Sequence, residues 1–497
     1  MESLNALLNG FSIAFSLSNI TYCFIGCLLG TLIGILPGIG PAATIALLFP
    51  IATRLNPIGA MVMLAGLYYG AQFGGSTTSI LLNMPGEATS VATCLDGYQM
   101  ARNGKAGPAL GISAFGSFIG GTFTIIGLVL LAPLLANVAL KFGPPEFFSL
   151  TVMCMTMVTY LSKGSFIKAL MMVPLGVILA TVGMDPFTAA FRFTYGTLKL
   201  QDGLGIVPIV MGLFGISEVM INVGTSSHRI FVKTKIRNLF PSLQDWKDSK
   251  FPILRGTLVG FILGALPGMG LSSPFLSYGL EKKLSKHPEK FGTGVIEGVA
   301  APETCNNAEA QASFIPMLSL GIPANVIMAM FLGALVVYGI TPGPLLIREH
   351  PDLFWGLIAS MYIGNFMLLI LNLPLIPVWV QILRVPYSYL FPTILVFCII
   401  GAYSLNNHMG DVIVMAVFGV VGYLMKRYGF EAAPLVLALI LGPLLENSLR
   451  QSLIISKGSF LIFLTRPISA SFLIVSCFIL ASPLLRPRPK IGAEEIS

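Results

Sequence analysis

The sequence predicts an all-α polytopic membrane protein made of two inverted-topology repeats, each with a broken helix and a re-entrant hairpin. Three observations lead there. Only 10% of the residues are charged and 55% are hydrophobic, whereas a soluble domain carries about 25% charged residues. Uninterrupted apolar runs recur along the chain, long enough to cross a hydrocarbon core of about 30 Å. The stretch Gly34-Ile35-Leu36-Pro37-Gly38-Ile39-Gly40 returns in the second half as Gly264-Ala265-Leu266-Pro267-Gly268-Met269-Gly270. Two shorter echoes keep the same order and nearly the same offset. Asn83-Met84-Pro85-Gly86-Glu87-Ala88 resembles Gly321-Ile322-Pro323-Ala324-Asn325-Val326, and Gly107-Pro108-Ala109-Leu110 resembles Gly343-Pro344-Leu345-Leu346. A duplicated unit of nearly half the chain in a membrane protein points to a transporter.

Composition excludes several other classes. The 53 Gly and 33 Pro do not signal disorder here, because transmembrane helices tolerate both and Gly lets packed helices approach. The net charge of +8 belongs to short loops beside apolar spans, where it sets orientation rather than binding nucleic acid. The seven cysteines (Cys23, Cys27, Cys94, Cys154, Cys305, Cys398, Cys477) are scattered, mostly in apolar runs. No second pair joins Cys23 and Cys27 in a metal site, so all seven are expected to be packing residues. Arg54 is the first basic residue, so a cleaved signal peptide is not expected.

The elements follow in order. Apolar segments cover Phe11 to Leu36, Ala42 to Ile51 and Pro57 to Gly74, with Arg54 at a turn. Residues 75–93 are too polar for a lipid-facing helix and too apolar for a surface loop. Irregular backbone at membrane depth persists only inside protein or beside a water-filled cavity, so this is read as a re-entrant hairpin broken at Pro85-Gly86. Asp96, Arg102 and Lys105 mark the next loop, and spans follow at 107–137, 143–162, 165–183 and 203–222. These complete a first repeat over 1–223. The polar stretch 224–250 is a basic cytoplasmic linker, with six Lys or Arg against two Asp.

The second repeat, 251–485, runs through the break at Pro267 and the charged loop 281–290. A span near 293–312, a second hairpin over 313–330 and further apolar segments to 485 follow. The tail, 486–497, is basic and is placed in the cytoplasm with the linker. With 224–250 and 281–290 both inside, an odd number of spans back to Arg54 puts that turn and the N-terminus outside. Arg102, Lys105, Lys163 and Lys168 then all fall inside. Corresponding elements of the two halves thus face opposite sides, the architecture of secondary transporters with a midplane site.

Some residues are suited to chemistry. Pro removes a backbone donor and obstructs the preceding turn, while Gly admits positive φ, so each Leu-Pro-Gly-x-Gly frees helix carbonyls. With Thr44 in one half and Ser272 and Ser273 in the other, these breaks offer oxygen ligands to a monovalent cation. For one copy alone a tight turn between antiparallel spans is the plainer reading; the symmetric duplication favours the cation site. In the hairpins, Ser76, Thr77, Thr78, Ser79, Asn83, Thr89, Ser313, Ser319 and Asn325 cluster without Lys or Arg. Broken helices aim N–H groups and positive dipole ends into a cavity, which suits a carboxylate. The same side chains equally serve to bond backbone carbonyls between helices. Glu303 and Glu309 are carboxylates within a span and so cation-ligand or proton-carrier candidates; Asp411 and Glu446 are expected at the interface. The four histidines lack a second ligand at helical spacing, and no phosphate-binding loop supports direct ATP drive.

Three blocks, Gly34 to Pro50, Gly74 to Gly111 and Val299 to Pro323, resemble the TctA family, the large membrane subunit of tripartite tricarboxylate transporters. The likeness extends from the first span to about residue 445; the large subunit of TRAP transporters is a more distant architectural relative. The resemblance implies a multi-pass carrier of the bacterial inner membrane that takes up carboxylates with an ion gradient, sodium in the first place, and carries no other cofactor. It implies a small four-span membrane subunit and a periplasmic solute-binding protein as partners, and an elevator-type transport domain. The substrate candidates it carries over are Ser76, Thr77, Asn83, Pro85, Gly86, Asn306, Asn307, Pro323, Ala324 and Asn325; the sodium candidates are Gly38, Gly40, Thr44, Gly268, Gly270, Ser272 and Ser273. Ala324-Asn325 replaces the usual Gly and small hydroxyl residue, and Glu309 and Gln311 replace small residues, which favours a carboxylate other than citrate. A carrier without a binding protein, a channel and an intramembrane enzyme using Glu303 and Glu309 are the competing classes. The enzyme lacks a nucleophile–base pair or a metal-ligand set, and Pro-Gly breaks suit an occluded site better than an open pore.

Overall fold

A computed structural model describes residues 2–36, 40–87, 89–162, 165–222, 239–382 and 387–485. Its helices begin with α1 (Glu2–Ala14), α2 (Leu17–Gly34), α3 (Gly40–Ala52), α4 (Pro57–Leu82), α5 (Val91–Arg102), α6 (Ala106–Ala139), α7 (Pro144–Leu161) and α8 (Phe166–Ala180). After the short strands β1 (Gly183–Met184) and β2 (Phe191–Arg192) come α9 (Ile206–Val210), α10 (Ser217–Asn222), α11 (Leu243–Gly264), α12 (Ser273–Leu284), α13 (Glu297–Ala312), α14 (Phe314–Leu320) and α15 (Val326–Val337). The remainder are α16 (Leu346–Glu349), α17 (Pro351–Asn372), α18 (Ile376–Ile382), α19 (Tyr387–Asn406), α20 (Met409–Arg427), α21 (Ala432–Ile455), α22 (Ile462–Thr465) and α23 (Pro467–Leu485). Among the described residues, five helices (α2, α6, α17, α20, α21) are long and apolar enough to span a bilayer. The expected all-α polytopic class is what is seen.

The chain packs as two units, residues 1–140 with 204–425, and residues 141–203 with 426–497. This division describes packing and is a different property from a repeat boundary. Within the first unit, glycines set the helix spacing. A Cβ on Gly26, Gly30 or Gly34 of α2 would lie no more than 2.5 Å from the carbonyl oxygens of Met63, Leu67 and Ala71 on α4. On α11, Gly256, Gly260 and Gly264 stand equally close to those of Ala301, Cys305 and Glu309 on α13. Only Gly permits backbones this close. The two glycine sets share the register of the Leu-Pro-Gly-x-Gly pair, and the two carbonyl sets share that of the hairpin prolines, Pro85 and Pro323.

In the second unit, α8 lies on α21 through Gly176, where a Cβ would collide with Leu435 O. The β1–β2 ribbon is antiparallel. Asp185 beside it pairs with Arg450 of α21 at 2.9 Å, and Arg192 with Glu446 at 2.7 Å.

Several local expectations differ from the structure. Helix α4 runs without interruption through Ser76–Ser79 to Leu82, so the first break starts only at Asn83. Its C-terminus is closed by Asn83 in the left-handed region (φ 57°), with its N–H donating to Thr78 O. Helix α14 likewise ends on Gly321 (φ 71°), the counterpart of Asn83 when Pro85 is aligned with Pro323. Ser242 and Asp245 cap each other reciprocally and start α11 inside the stretch assigned to the linker. Residues 224–238 of that linker, Lys163, and the tail after Leu485 lie outside the described residues. Asp96 is not in a loop. It is fully buried on α5, accepting from the N–H groups of Gly292, Gly294 and Val295 and from Tyr278 Oη. Asp411 is also buried.

Candidate functional site

The site grows from α4 and α13, two helices that carry polar side chains in otherwise apolar surroundings. On α4, Tyr68, Gln72 and Ser76 recur at every fourth position and so share one face. Against them, in antiparallel order, stand Glu309, Asn306 and Glu303 of α13. Ser76 and Thr93 of α5 donate short hydrogen bonds to the two carboxylate oxygens of Glu303, and Ser113 of α6 donates a third at 3.1 Å. The Gln72 side chain faces Glu87 and Asn306, and Asn306 Nδ2 donates to Glu87 Oε1 at 2.9 Å. Asn325 Nδ2 lies 3.2 Å from Tyr68 Oη and 3.4 Å from Glu309 Oε1.

The two tips meet this ladder in the same way. Asn306 to Glu87 joins α13 to the first tip; Tyr68 to Asn325 joins α4 to the second. Aligning Pro85 with Pro323 places Tyr68 on Asn306 and Glu87 on Asn325, so the two contacts exchange the roles of the halves. Each tip also touches its own half's broken helix. A Cβ on Gly86 would collide with Gly34 O, and Gly268 N donates to Ala324 O at 2.7 Å. Gly268 has φ 83° and Gly40 φ 63°, so the freedom of glycine is used at both breaks.

Ser76, Gly86, Asn306, Ala324 and Asn325 therefore surround one buried centre, with Gly268 and Gly270 at its edge; a Cβ on Gly270 would collide with Glu309 Oε1. Thr77 and Pro323 are buried nearby and Pro85 is half-buried. Asn83 is exposed and acts as the helix cap. Asn307 turns away from the tips and donates to Ser117 Oγ of α6 at 2.7 Å. Thr44 and Ser273 spend their hydroxyl protons on the carbonyl of Gly40 and of Gly270, which leaves lone pairs free to accept. Ser272 is half-buried; Gly38 lies outside the described residues. Sequence reasoning singled out neither Tyr68, Gln72, Thr93, Ser113 nor Ser117. The signal for the first two was their helical spacing with Ser76.

Glu87, Glu303 and Glu309 are all buried, and among the described residues none forms an ion pair with a basic side chain. Elsewhere in this unit Arg255 pairs with Glu281 at 2.6 Å and joins α11 to α12. A centre of carboxylates, amides and hydroxyls without fixed cations recognises anions only together with mobile cations or protons.

Broken helices meeting at buried polar groups inside an apolar helical bundle define a membrane transporter. The model of the tripartite tricarboxylate transporter TctA family matches residues 20–437, and the chain belongs to that family. It is 51% identical over 500 residues, covering all of both chains, to an uncharacterized 52.8 kDa protein in the TAR-I ttuC' 3' region of Agrobacterium vitis. A second relative from the same organism, an uncharacterized protein in the TAR-II ttuC' 3' region, is 55% identical over 225 residues, which are 45% of this chain and 93% of the relative. No solved structure matches this chain.

Proposed function

We propose that the chain is the large membrane subunit of a sodium-coupled, binding-protein-dependent carboxylate uptake system of the bacterial inner membrane. A small four-span subunit and a periplasmic solute-binding protein complete the system, as the family's tripartite character supports. The observation that carries the reading is the pair of exchanged contacts, Asn306 with Glu87 and Tyr68 with Asn325. They bring both hairpin tips onto one centre and support a twofold axis in the membrane plane, hence an inverted repeat. The matching glycine ladders of α2 and α11 support the same relation.

The carboxylate substrate binds between the tips, where Gly86, Ala324 and Asn325 offer backbone and amide donors beside Ser76 and Asn306. Sodium ions at the two Leu-Pro-Gly-x-Gly breaks, held by carbonyls of Gly38, Gly40, Gly268 and Gly270 and by Thr44, Ser272 and Ser273, offset the buried carboxylates. The tips and breaks then move together in elevator-like alternating access, with the N-terminus in the periplasm and the C-terminus in the cytoplasm. Uptake by proteoliposomes holding the membrane subunits, with and without sodium and a binding protein, tests this. Sodium-driven accumulation of a di- or tricarboxylate is expected; accumulation indifferent to sodium removes the coupling.

A further inference from the structure

We propose that a small cavity lined by α4, α6, α17 and α18 holds one monovalent cation on the side-chain oxygens of Thr77, Ser113 and Asn372, as the counter-charge of Glu303. This site is separate from both hairpin tips and both helix breaks. It goes beyond the coupling ions proposed above and does not require that the ion be transported.

Helices α4, α6 and α17 pack against one another. Where they meet, Phe73 and Thr77 of α4, Leu110 and Ser113 of α6, Asn372 of α17 and Ile376 of α18 line a cavity of about 10 Å³. That is room for about one water-sized particle. Ser76 and Thr77 are neighbours on α4, so their side chains diverge by about 100°. Ser76 meets Glu303 and Thr77 meets the cavity. Thr77, Ser113 and Asn372 are 3%, 5% and 4% exposed.

The hydrogen bonds of these three residues leave oxygen lone pairs uncommitted. Asn372 Nδ2 donates to Leu368 O at 3.0 Å and to Thr31 Oγ1 at 3.5 Å, while Asn372 Oδ1 is buried with no donor among the described residues. Thr77 makes no side-chain hydrogen bond among the described residues. Ser113 spends its proton on Glu303 Oε2 at 3.1 Å, so only lone pairs remain on its oxygen. Two buried polar groups without partners at one cavity cost free energy unless its occupant binds them.

Charge decides between a water molecule and an ion. Hydrogen bonding alone would be met by water. Glu303 adds a second need: it is buried, is linked to the cavity by Ser113, and pairs with no basic side chain among the described residues. A buried carboxylate without a counter-charge is costly. A cation one hydroxyl away lies in its field at low dielectric, and it takes lone pairs from all three oxygens at once. Among the described residues no carboxylate lines the cavity. Calcium and magnesium sites are built on carboxylates, so a monovalent ion such as sodium is the ligand that fits.

The test uses the purified full chain. Bound sodium per chain is counted by equilibrium dialysis with radioactive sodium, choline holding the ionic strength constant, for the parent, Thr77→Val, Thr77→Ser, Asn372→Leu and Glu303→Gln. Thr77→Val and Asn372→Leu should each bind one sodium fewer than the parent; Thr77→Ser, which keeps the hydroxyl, should bind as many. Glu303→Gln keeps an acceptor for the hydroxyls and removes the charge, so it should need at least about tenfold more sodium to fill the site. In choline Thr77→Val should melt at the parent Tm or above it, because an unpartnered hydroxyl is gone, so its missing ion is not a folding defect. An equal count in the parent, Thr77→Val and Asn372→Leu, the behaviour of a cavity filled by water alone, overturns the site. Uptake by the reconstituted parent separates this site from the coupling reading. Sodium-driven uptake with an unaltered count in the variants removes the cavity ion and leaves the carrier. Uptake indifferent to sodium, with a count one lower in both variants, does the reverse.

Discussion

Glu303 takes hydroxyl donors from Ser76, Thr93 and Ser113, one on each of three helices, and so ties α4, α5 and α6 to α13. Glu303→Leu leaves the Thr93 and Ser113 hydroxyls unpaired, each costing about 1–3 kcal/mol, and leaves Ser76 only Gln72 O as acceptor, whereas Glu303→Gln keeps an acceptor. Thermal unfolding should place Leu well below Gln; equal Tm values would mean that the hydroxyls are satisfied elsewhere. Asn325 has two duties, capping α15 by accepting from Met328 N at 2.9 Å and reaching Tyr68. Asn325→Ala should cost about 1 kcal/mol for the cap and lower uptake well beyond that loss; full uptake at normal expression would remove Asn325 from the centre. Outside the spans, burial works to raise the Asp185 pKa, but the N–H groups of Phe187 and Thr188 and the Arg450 guanidinium outweigh it and bring it to about 2. The folded value lies below the unfolded one of about 3.9, so this stabilisation is complete above that pH and fades as pH falls toward 2. Asp185→Asn should therefore lower stability at pH 6 and make no difference at the acid end of that window; an equal deficit at both ends contradicts the assignment. Single-residue roles were the least legible in the sequence. Asp96 looked like a loop charge because its partners, the N–H groups of Gly292, Gly294 and Val295, come from the other half of the chain.

At the level of elements, the helix breaks were readable and the helix faces were not. Pro37 and Pro267 announced that α2 and α11 must stop, and they stop at Gly34 and Gly264, because the proline ring displaces the preceding turn. Ser76–Ser79 gave no such stop. Four hydroxyls look like a break in sequence, yet Thr78 and Ser79 bond back to Gly75 O, and Ser76 has Gln72 O as well as Glu303 within reach, so the helix continues to Leu82. The glycine ladders make an element-scale prediction. Gly30→Val and Gly260→Val each force a side chain against a carbonyl, that of Leu67 in the first case and of Cys305 in the second. Each should cost at least about 1–3 kcal/mol. Gly279→Ala, with open space around it, should be neutral or slightly stabilising through helix propensity. Similar Tm values for all three would mean that α2–α4 and α11–α13 are not packed on glycine.

For the whole molecule, composition and the duplicated motifs pointed to the membrane class and the two-part plan. They held no sign that residues 141–203 join 426–497 in a separate packing unit, since that pairing depends on contacts far apart in the chain, such as Asp185 with Arg450. The proposed inverted repeat makes a topological prediction: reporter fusions after Ala52 and after Leu239 should report opposite sides of the membrane, and the same side for both would rule out inversion. The central claim is that both tips enclose a carboxylate beside its counter-ions. Its most direct measurement is reconstituted uptake of a panel of mono-, di- and tricarboxylates under an imposed sodium gradient, comparing the parent with Asn306→Ala. Accumulation of one carboxylate class that follows the sodium gradient and falls at least tenfold in the variant is the expected result. Accumulation that ignores both the gradient and Asn306 would contradict it.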